Sequence, residues 1–234
     1  MAETIYRGYV VNKYPFQVFD EIVTFLIENG RKIPCLSRGS RKIESKNARN
    51  LFIGSYVEFQ IFQSRSDDKI SRLKKSNTIK SIDWNYETIE SFNLLNECAT
   101  VTNVKGKELY TFYQDNLEMI QKQTFNDKII VLVILRQFLK ISGVMLEVNR
   151  CVKCGSNKIK TISFKEHGLL CNLCFDSKND KFYELPISKA IHYLFNNQYD
   201  KLNGYLHEID FLIKLIRIYT EDNLGIKLKT LAGY

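Results

Sequence analysis

Two short pairs of cysteines carry the most pointed chemistry in this chain. Cys151-Val152-Lys153-Cys154 is followed by sixteen residues and then by Cys171-Asn172-Leu173-Cys174. Two CxxC knuckles at that separation suit a structural zinc site, because four thiolates close a tetrahedron and leave no coordination position open for catalysis. Gly155 follows the second cysteine and lets the backbone turn tightly around an ion. Residues 159–164 and 169–170 read as a small hairpin between the knuckles, with His167-Gly168 near its turn. The alternatives are chance CxxC strings or a vicinal redox pair, and no thioredoxin-like βαβ pattern surrounds either one. His167 can in principle replace a thiolate, but four sulfurs already fill the shell. Cys35 and Cys98 stand alone and read as small buried hydrophobes.

A second signal is electrostatic. Residues 38–49 run Arg-Gly-Ser-Arg-Lys-Ile-Glu-Ser-Lys-Asn-Ala-Arg, with Arg38, Arg41, Lys42, Lys46 and Arg49 against the single anion Glu44. Lys69, Arg72, Lys74 and Lys75 form a second cluster. The net charge of the chain is +8, with 15 Lys/Arg against 8 Asp/Glu in residues 1–80 and 19 against 18 in the remainder. Cations concentrated on one region attract a polyanion, and Ser40, Ser45 and Asn47 can hydrogen-bond phosphate oxygens. Tyr14, Phe16, Phe19, Tyr56 and Phe62 interleave with them; they are either core or stacking platforms for unpaired bases. An ordinary solvated, solubilising surface is the plain alternative.

Catalysis is not indicated. The sequence has no phosphate-binding glycine loop, dinucleotide fingerprint, HExxH helix or GxSxG elbow, and Gly106-Lys107 lacks the earlier glycine. His192 and His207 fall within helical patterns, and the adjacent acids Asp20-Glu21 and Asp67-Asp68 read as turn or surface charge. The longest apolar run, Ile129 to Leu135, is far short of the roughly 18 to 20 residues that span a bilayer, so no membrane segment is expected. The start Met1-Ala2-Glu3-Thr4 lacks secretory-signal character, which points to a reducing cytosol.

The elements that must position these residues change character near residue 80. Before it, short β-rich segments dominate: residues 5–11, 18–27, 31–37 and 51–62, with two more near 70–73 and 77–84. Asn29-Gly30 suits both positive-φ positions of a tight hairpin turn, and Pro34 marks an edge or bulged strand. Val57, Phe59 and Ile61 alternate with Glu58 and Gln60, as a half-buried strand does. Such strands, without a helix between them, predict a small closed barrel. After residue 80, helices are expected over 108–123, 126–143, 186–195 and 205–223. Asn126 is the cap of the second, Gly143 its left-handed terminus, and its centre is apolar all round. The expected fold class is α+β, with a barrel over 1–80 packed on a helical domain over 81–234 that carries the cysteine module at about 148–177.

The order of these features resembles the RecO family of bacterial recombination mediators. The resemblance runs through residues 8–11, 19–26, 30–33 and 37–42, Gly143, both cysteine knuckles with Gly155, and the terminal Leu224-Gly225-Ile226-Lys227-Leu228-Lys229-Thr230. It implies an N-terminal OB-fold, a helical domain with a zinc module, and no enzymatic turnover. It implies binding to single- and double-stranded DNA, annealing of strands coated with single-strand binding protein, and work with RecR to load RecA, in a bacterial cytoplasm at the nucleoid. The family's basic barrel region falls on Arg38, Arg41, Lys42 and Lys46. It also implies a groove on the helical domain for the acidic, apolar tail of single-strand binding protein. The chain departs from the pattern at His167-Gly168, where Gly-Gly is common, and between Tyr14 and Phe19, which lacks the usual polar Gly-Glu turn. A zinc-ribbon transcription or translation accessory factor that binds RNA is the main rival, and a structural adaptor with basic clusters facing a protein partner is the second.

Overall fold

A computed structural model describes residues 3–64, 70–83 and 85–234. Five strands, β1 (Glu3–Phe16), β2 (Asp20–Ile27), β3 (Lys32–Ser37), β4 (Tyr56–Phe62) and β5 (Ser71–Lys80), close into a barrel of order β1-β2-β3-β5-β4. That closure is the OB-fold that the resemblance implies, and it leaves a small sheet without long open edges. Period-two burial builds its interior: Val23, Phe25, Ile33, Cys35, Val57, Phe59 and Ile61 point inward. Phe25 and Phe59 stack at its centre with ring centroids 3.8 Å apart. Among the described residues β3 pairs with β5 through Cys35 with Ser71 and Leu36 with Arg72, and Pro34 has its register partner in β2, at Thr24. A missing N–H is tolerated there.

The structure amends two strand expectations. The β2–β3 link spans residues 28–31, and of the Asn29-Gly30 pair only Gly30 has positive φ, at 75°. Asn29 instead accepts a hydrogen bond from the Arg31 amide through its side chain at 3.0 Å. A Cβ on Gly30 would run into the backbone of Gly106, so the close approach fixes glycine there as firmly as the turn does. The two short strands expected near 70–73 and 77–84 are one strand, β5, with Trp84 outside the described residues. A bulge opposite Gln60 and Ile61 places buried Leu73 and Ser76 three residues apart, and this phase shift hides the continuity from an alternation test.

The chain divides into two compact units. One comprises Met1–Tyr86 with Leu95–Gln121, and the other Glu87–Leu94 with Lys122–Tyr234. The barrel unit therefore includes, besides the strands, the end of α1 (Ile89–Val101) and α2 (Lys107–Lys122). Lys32 of β3 donates from Nζ to Ala99 O, Thr100 O and Thr102 O at 3.1, 2.8 and 2.6 Å. One ammonium thus satisfies three carbonyls at the end of α1 that have no helical partner. Lys32→Met should lower stability by about 1.5 to 3 kcal/mol, the scale of a hydrogen bond to a charged group, and urea unfolding reads it. An unchanged midpoint would mean that water serves those carbonyls equally well.

The second unit packs α3 (Asp127–Ile141) against α5 (Ile209–Leu224), with α4 (Leu185–Phe195) and a three-stranded sheet of β6 (Glu147–Cys151), β7 (Ile159–Ser163) and β8 (Gly168–Cys171). The residues from Ile129 to Arg136 are all buried, as an apolar middle helix requires. Asn126 caps α3 by accepting from Lys128 N at 3.0 Å, and Gly143 closes it at φ 76° with its amide on Lys140 O. The last helix, expected over 205–223, starts four residues later as α5 at Ile209, and a 3-10 segment at Tyr199–Tyr205 precedes it.

Candidate metal centre and nucleic-acid interface

The sheet of the second unit exists to bring two loops together. β6 runs parallel to β8, with Glu147 opposite Gly168 and Cys151 opposite Leu169, so the two strands end side by side and each turns at once into a cysteine knuckle. In the first knuckle Gly155, at φ 74°, donates to Cys151 O at 2.8 Å, and Cys151 N donates to Ser156 O. In the second, the amides of Cys174 and Phe175 both donate to Cys171 O. A Cβ on Gly168 would strike Glu147 O and the Val152 side chain, so the parallel approach of β6 demands glycine. His167 just before it takes the left-handed backbone (φ 56°) that glycine would adopt freely. Its Nδ1 lies 2.9 Å from Tyr219 Oη, a contact that offsets the backbone cost and turns the ring toward α5 instead of the sulfurs.

The four sulfurs of Cys151, Cys154, Cys171 and Cys174 all lie within 4.8 Å of one another, and Cys154 Sγ is 3.5 Å from Cys171 Sγ. Tetrahedral zinc with Zn–S bonds of about 2.3 Å has sulfur–sulfur edges of about 3.8 Å, so the donor set fits such an ion. The electrostatics agree. Burial opposes charge on Cys151, but backbone N–H groups of Cys171, Cys154 and Lys153 outweigh it and bring its thiol down to about 6. Hydrogen bonds to the Cys154 and Cys171 sulfurs push Cys174 up to about 12. Without a cation the four cannot ionise together; a divalent ion is what makes four thiolates compatible. Among the described residues no crossover helix joins these strands, so the redox-fold alternative has no scaffold here. Cys35 and Cys98 are buried as expected, and burial raises the Cys35 thiol to about 12.

On the barrel, the hydrogen-bond register places the basic residues. From Tyr14 the pairing runs to Ile22, Leu36, Arg72, Phe62 and Glu3, and these side chains share the face opposite the core. Arg72 lies over the Phe62 ring at 4.8 Å. Lys75, opposite Gln60, occupies the same face. The segment after β3 is tied to both ends of this row. Gly39 N donates to Asp20 Oδ1 at 2.8 Å, Arg41 N to Phe19 O at 3.0 Å, and Arg41 Nη1 to Val18 O at 3.1 Å. Farther along, Asn47 Oδ1 accepts from Ser76 N and Oγ, while Asn50 donates to Ser76 O and accepts from Thr78 Oγ1. Arg38, Arg41 and Lys42 are thereby held at the β1–β2 tip, and Lys46 and Arg49 beside β5.

All of these cations are solvent-exposed. Among the described residues no carboxylate lies within salt-bridge distance of Arg38, Arg41, Lys42, Lys46, Arg49, Arg72 or Lys75, whereas Lys74 pairs with Glu3 at 2.8 Å. Lys69, like Asp67-Asp68, lies outside the described residues. The polar residues expected to meet phosphates serve the loop itself: Ser40 Oγ donates to Ser37 O, Ser45 Oγ accepts from Ala48 N, and Asn47 holds β5. Of the aromatics, Tyr14, Phe16 and Phe19 are exposed, Tyr56 leans on Tyr9 at 5.0 Å, and Phe62 sits beneath Arg72. Asp20 and Asn50, which fix the loop at its two ends, had no signal in the sequence beyond their suitability for turns.

Two family models match, described as the N terminal and C terminal regions of recombination protein O, over residues 1–82 and 99–232. The chain belongs to the recombination protein O family. It is 29% identical to the DNA repair protein RecO of Mycoplasma mycoides subsp. mycoides over 100% of this chain and 91% of that protein. It is 25% identical to the protein of that name from Mesoplasma florum, covering 97% and 88% of the two chains. With the protein of Bacillus pumilus it shares 27% identity over 79% and 72%. The family, the closed barrel, the helices and a four-cysteine cluster able to hold a metal thus agree with the resemblance read from sequence. Among the described residues no helix is long and apolar enough to cross a membrane.

Proposed function

We propose that this chain is a non-enzymatic DNA-binding recombination mediator acting in DNA repair, whose barrel holds the phosphate backbone of single- and double-stranded DNA. The observation that supports it best is the outward row and its loop: seven exposed cations from Arg38 to Lys75 that no described carboxylate neutralises. Lysine and arginine on such a face exchange condensed counterions for phosphates, which lowers the repulsion between two strands brought together. This electrostatic role needs no reacting group, and it gives the protein the work of annealing complementary strands coated with single-strand binding protein. With RecR, it would then help load RecA onto that coated DNA.

Cys151, Cys154, Cys171 and Cys174 would hold Zn2+ in this reading. Filled by four thiolates, the ion supplies folding free energy to a module with little core of its own, and no chemistry. The reading is tested by annealing two complementary strands, each precoated with single-strand binding protein, with and without the full chain. Faster annealing, lost on charge reversal of the barrel cations, is expected. Equal rates with and without the chain, or preference for structured RNA with no annealing, would overturn it.

A further inference from the structure

The β1–β2 hairpin runs past β4 on one side, while on the other β3 accompanies it to within a residue of the start of β2. Pairing of β1 with β4 ends at Tyr9, with one further exchange at Val10, and pairing of β2 with β3 ends at Glu21. The tip beyond them is apolar and open: Val18 is 72% and Phe19 51% exposed, with Tyr14 and Phe16 also exposed below it. Apolar side chains at the end of an arm are costly to leave in water unless they serve a contact. This arm is also stiffened. Arg41 grips the carbonyls of Val18 and Phe19, Lys42 Nζ lies 5.2 Å from the Phe19 ring centroid, and Asp20, the acid at the tip, is engaged by Gly39 N.

We propose that the tip is a stacking wedge for unpaired bases, with Phe19 offering a ring face to a base and Val18 inserting where a paired region opens. The occupant is set by charge. An apolar point ringed by Arg38, Arg41 and Lys42 suits a ligand that is anionic along its backbone and flat and apolar between its charges, which describes single-stranded nucleic acid. Phosphate contacts alone would hold paired and unpaired strands alike; the wedge adds a preference for forks and single strands. The inference rests on the reading of the barrel as a DNA-binding surface, and the test separates the two.

Fluorescence anisotropy of the full chain with three labelled DNAs reads it: a blunt duplex, a Y-shaped fork of the same sequence, and a single strand. The variant V18S with F19S should bind the fork and the single strand about tenfold more weakly, the scale of one lost base stack, and the duplex within about twofold of the parent. F19W, with serine kept out of the tip, should retain the preference. A second variant, K46E with R49E and K75E, should weaken all three. Parental binding by the serine variant, or equal loss on all three DNAs, would overturn the wedge while leaving the barrel reading intact. Undiminished binding by the glutamate variant would instead remove the barrel reading, and the wedge with it.

Discussion

Removing the metal that the four cysteines are proposed to hold should unfold the segment 148–177 and lower the melting temperature of the chain. Around the sulfurs the buried cluster is only Cys151, Leu170 and Cys171, with Val152 and Ile159 packed at its margin, although Val148, Ile162 and Leu169 of the same sheet are buried as well. The cluster that joins the two knuckles is too small to offset the entropy of ordering their loops, at about 1 to 2 kcal/mol for each backbone residue. A structural zinc site contributes an apparent 10 to 16 kcal/mol in small zinc domains, enough to decide whether the module folds. Complete chelation should therefore expose to hydrogen exchange the amides of Val152 and Glu147, which donate to Leu169 O and His167 O. Protection unchanged after verified metal removal would show that the sheet stands without an ion, and acid should mimic chelation because protons compete for the thiolates.

Charge reversal on the barrel should have the second large effect. Each phosphate neutralised on a single strand contributes about 0.7 to the salt slope, which near 0.1 M salt corresponds to roughly fivefold in affinity. Losing Lys46, Arg49 and Lys75 together should then weaken binding by about a hundredfold, and equally for every base sequence, since contacts to phosphate carry no base information. These three are well chosen because their part of the loop is anchored by Asn47 and Asn50 and not by the side chains of Lys46, Arg49 or Lys75. A loss confined to particular sequences would assign the residues to base edges instead.

Much of this was legible in the residues alone, and what was not has identifiable causes. The four cysteines announce their cluster because ligand spacing is a local constraint, and β4 and α3 announce themselves because their burial follows a single period. α1 was missed because it buries Ser91 and Asn96 alongside Phe92, Leu94, Leu95 and Cys98, so neither a stripe nor an apolar run stands out. β5 broke into two because its bulge resets the alternation. β6 carries only Val148 and Cys151 as buried residues in five and is held by its pairing with β8, not by its own pattern. The basic loop is pinned at two points: Asp20, read as turn or surface charge, accepts from Gly39 N, and Asn47, read as a phosphate contact, accepts from Ser76 N. Which aromatics face solvent depends on how far one hairpin outruns β4, and that is a property of the register.

The dependence of single-strand affinity on salt tests the central claim most directly. Five to seven phosphates held by the barrel cations predict a log-log slope between about −3.5 and −5, shallower by about 2 when Lys46, Arg49 and Lys75 are replaced by glutamate. A slope near zero, or one that the replacements leave unchanged, would contradict a barrel whose cations hold the strand.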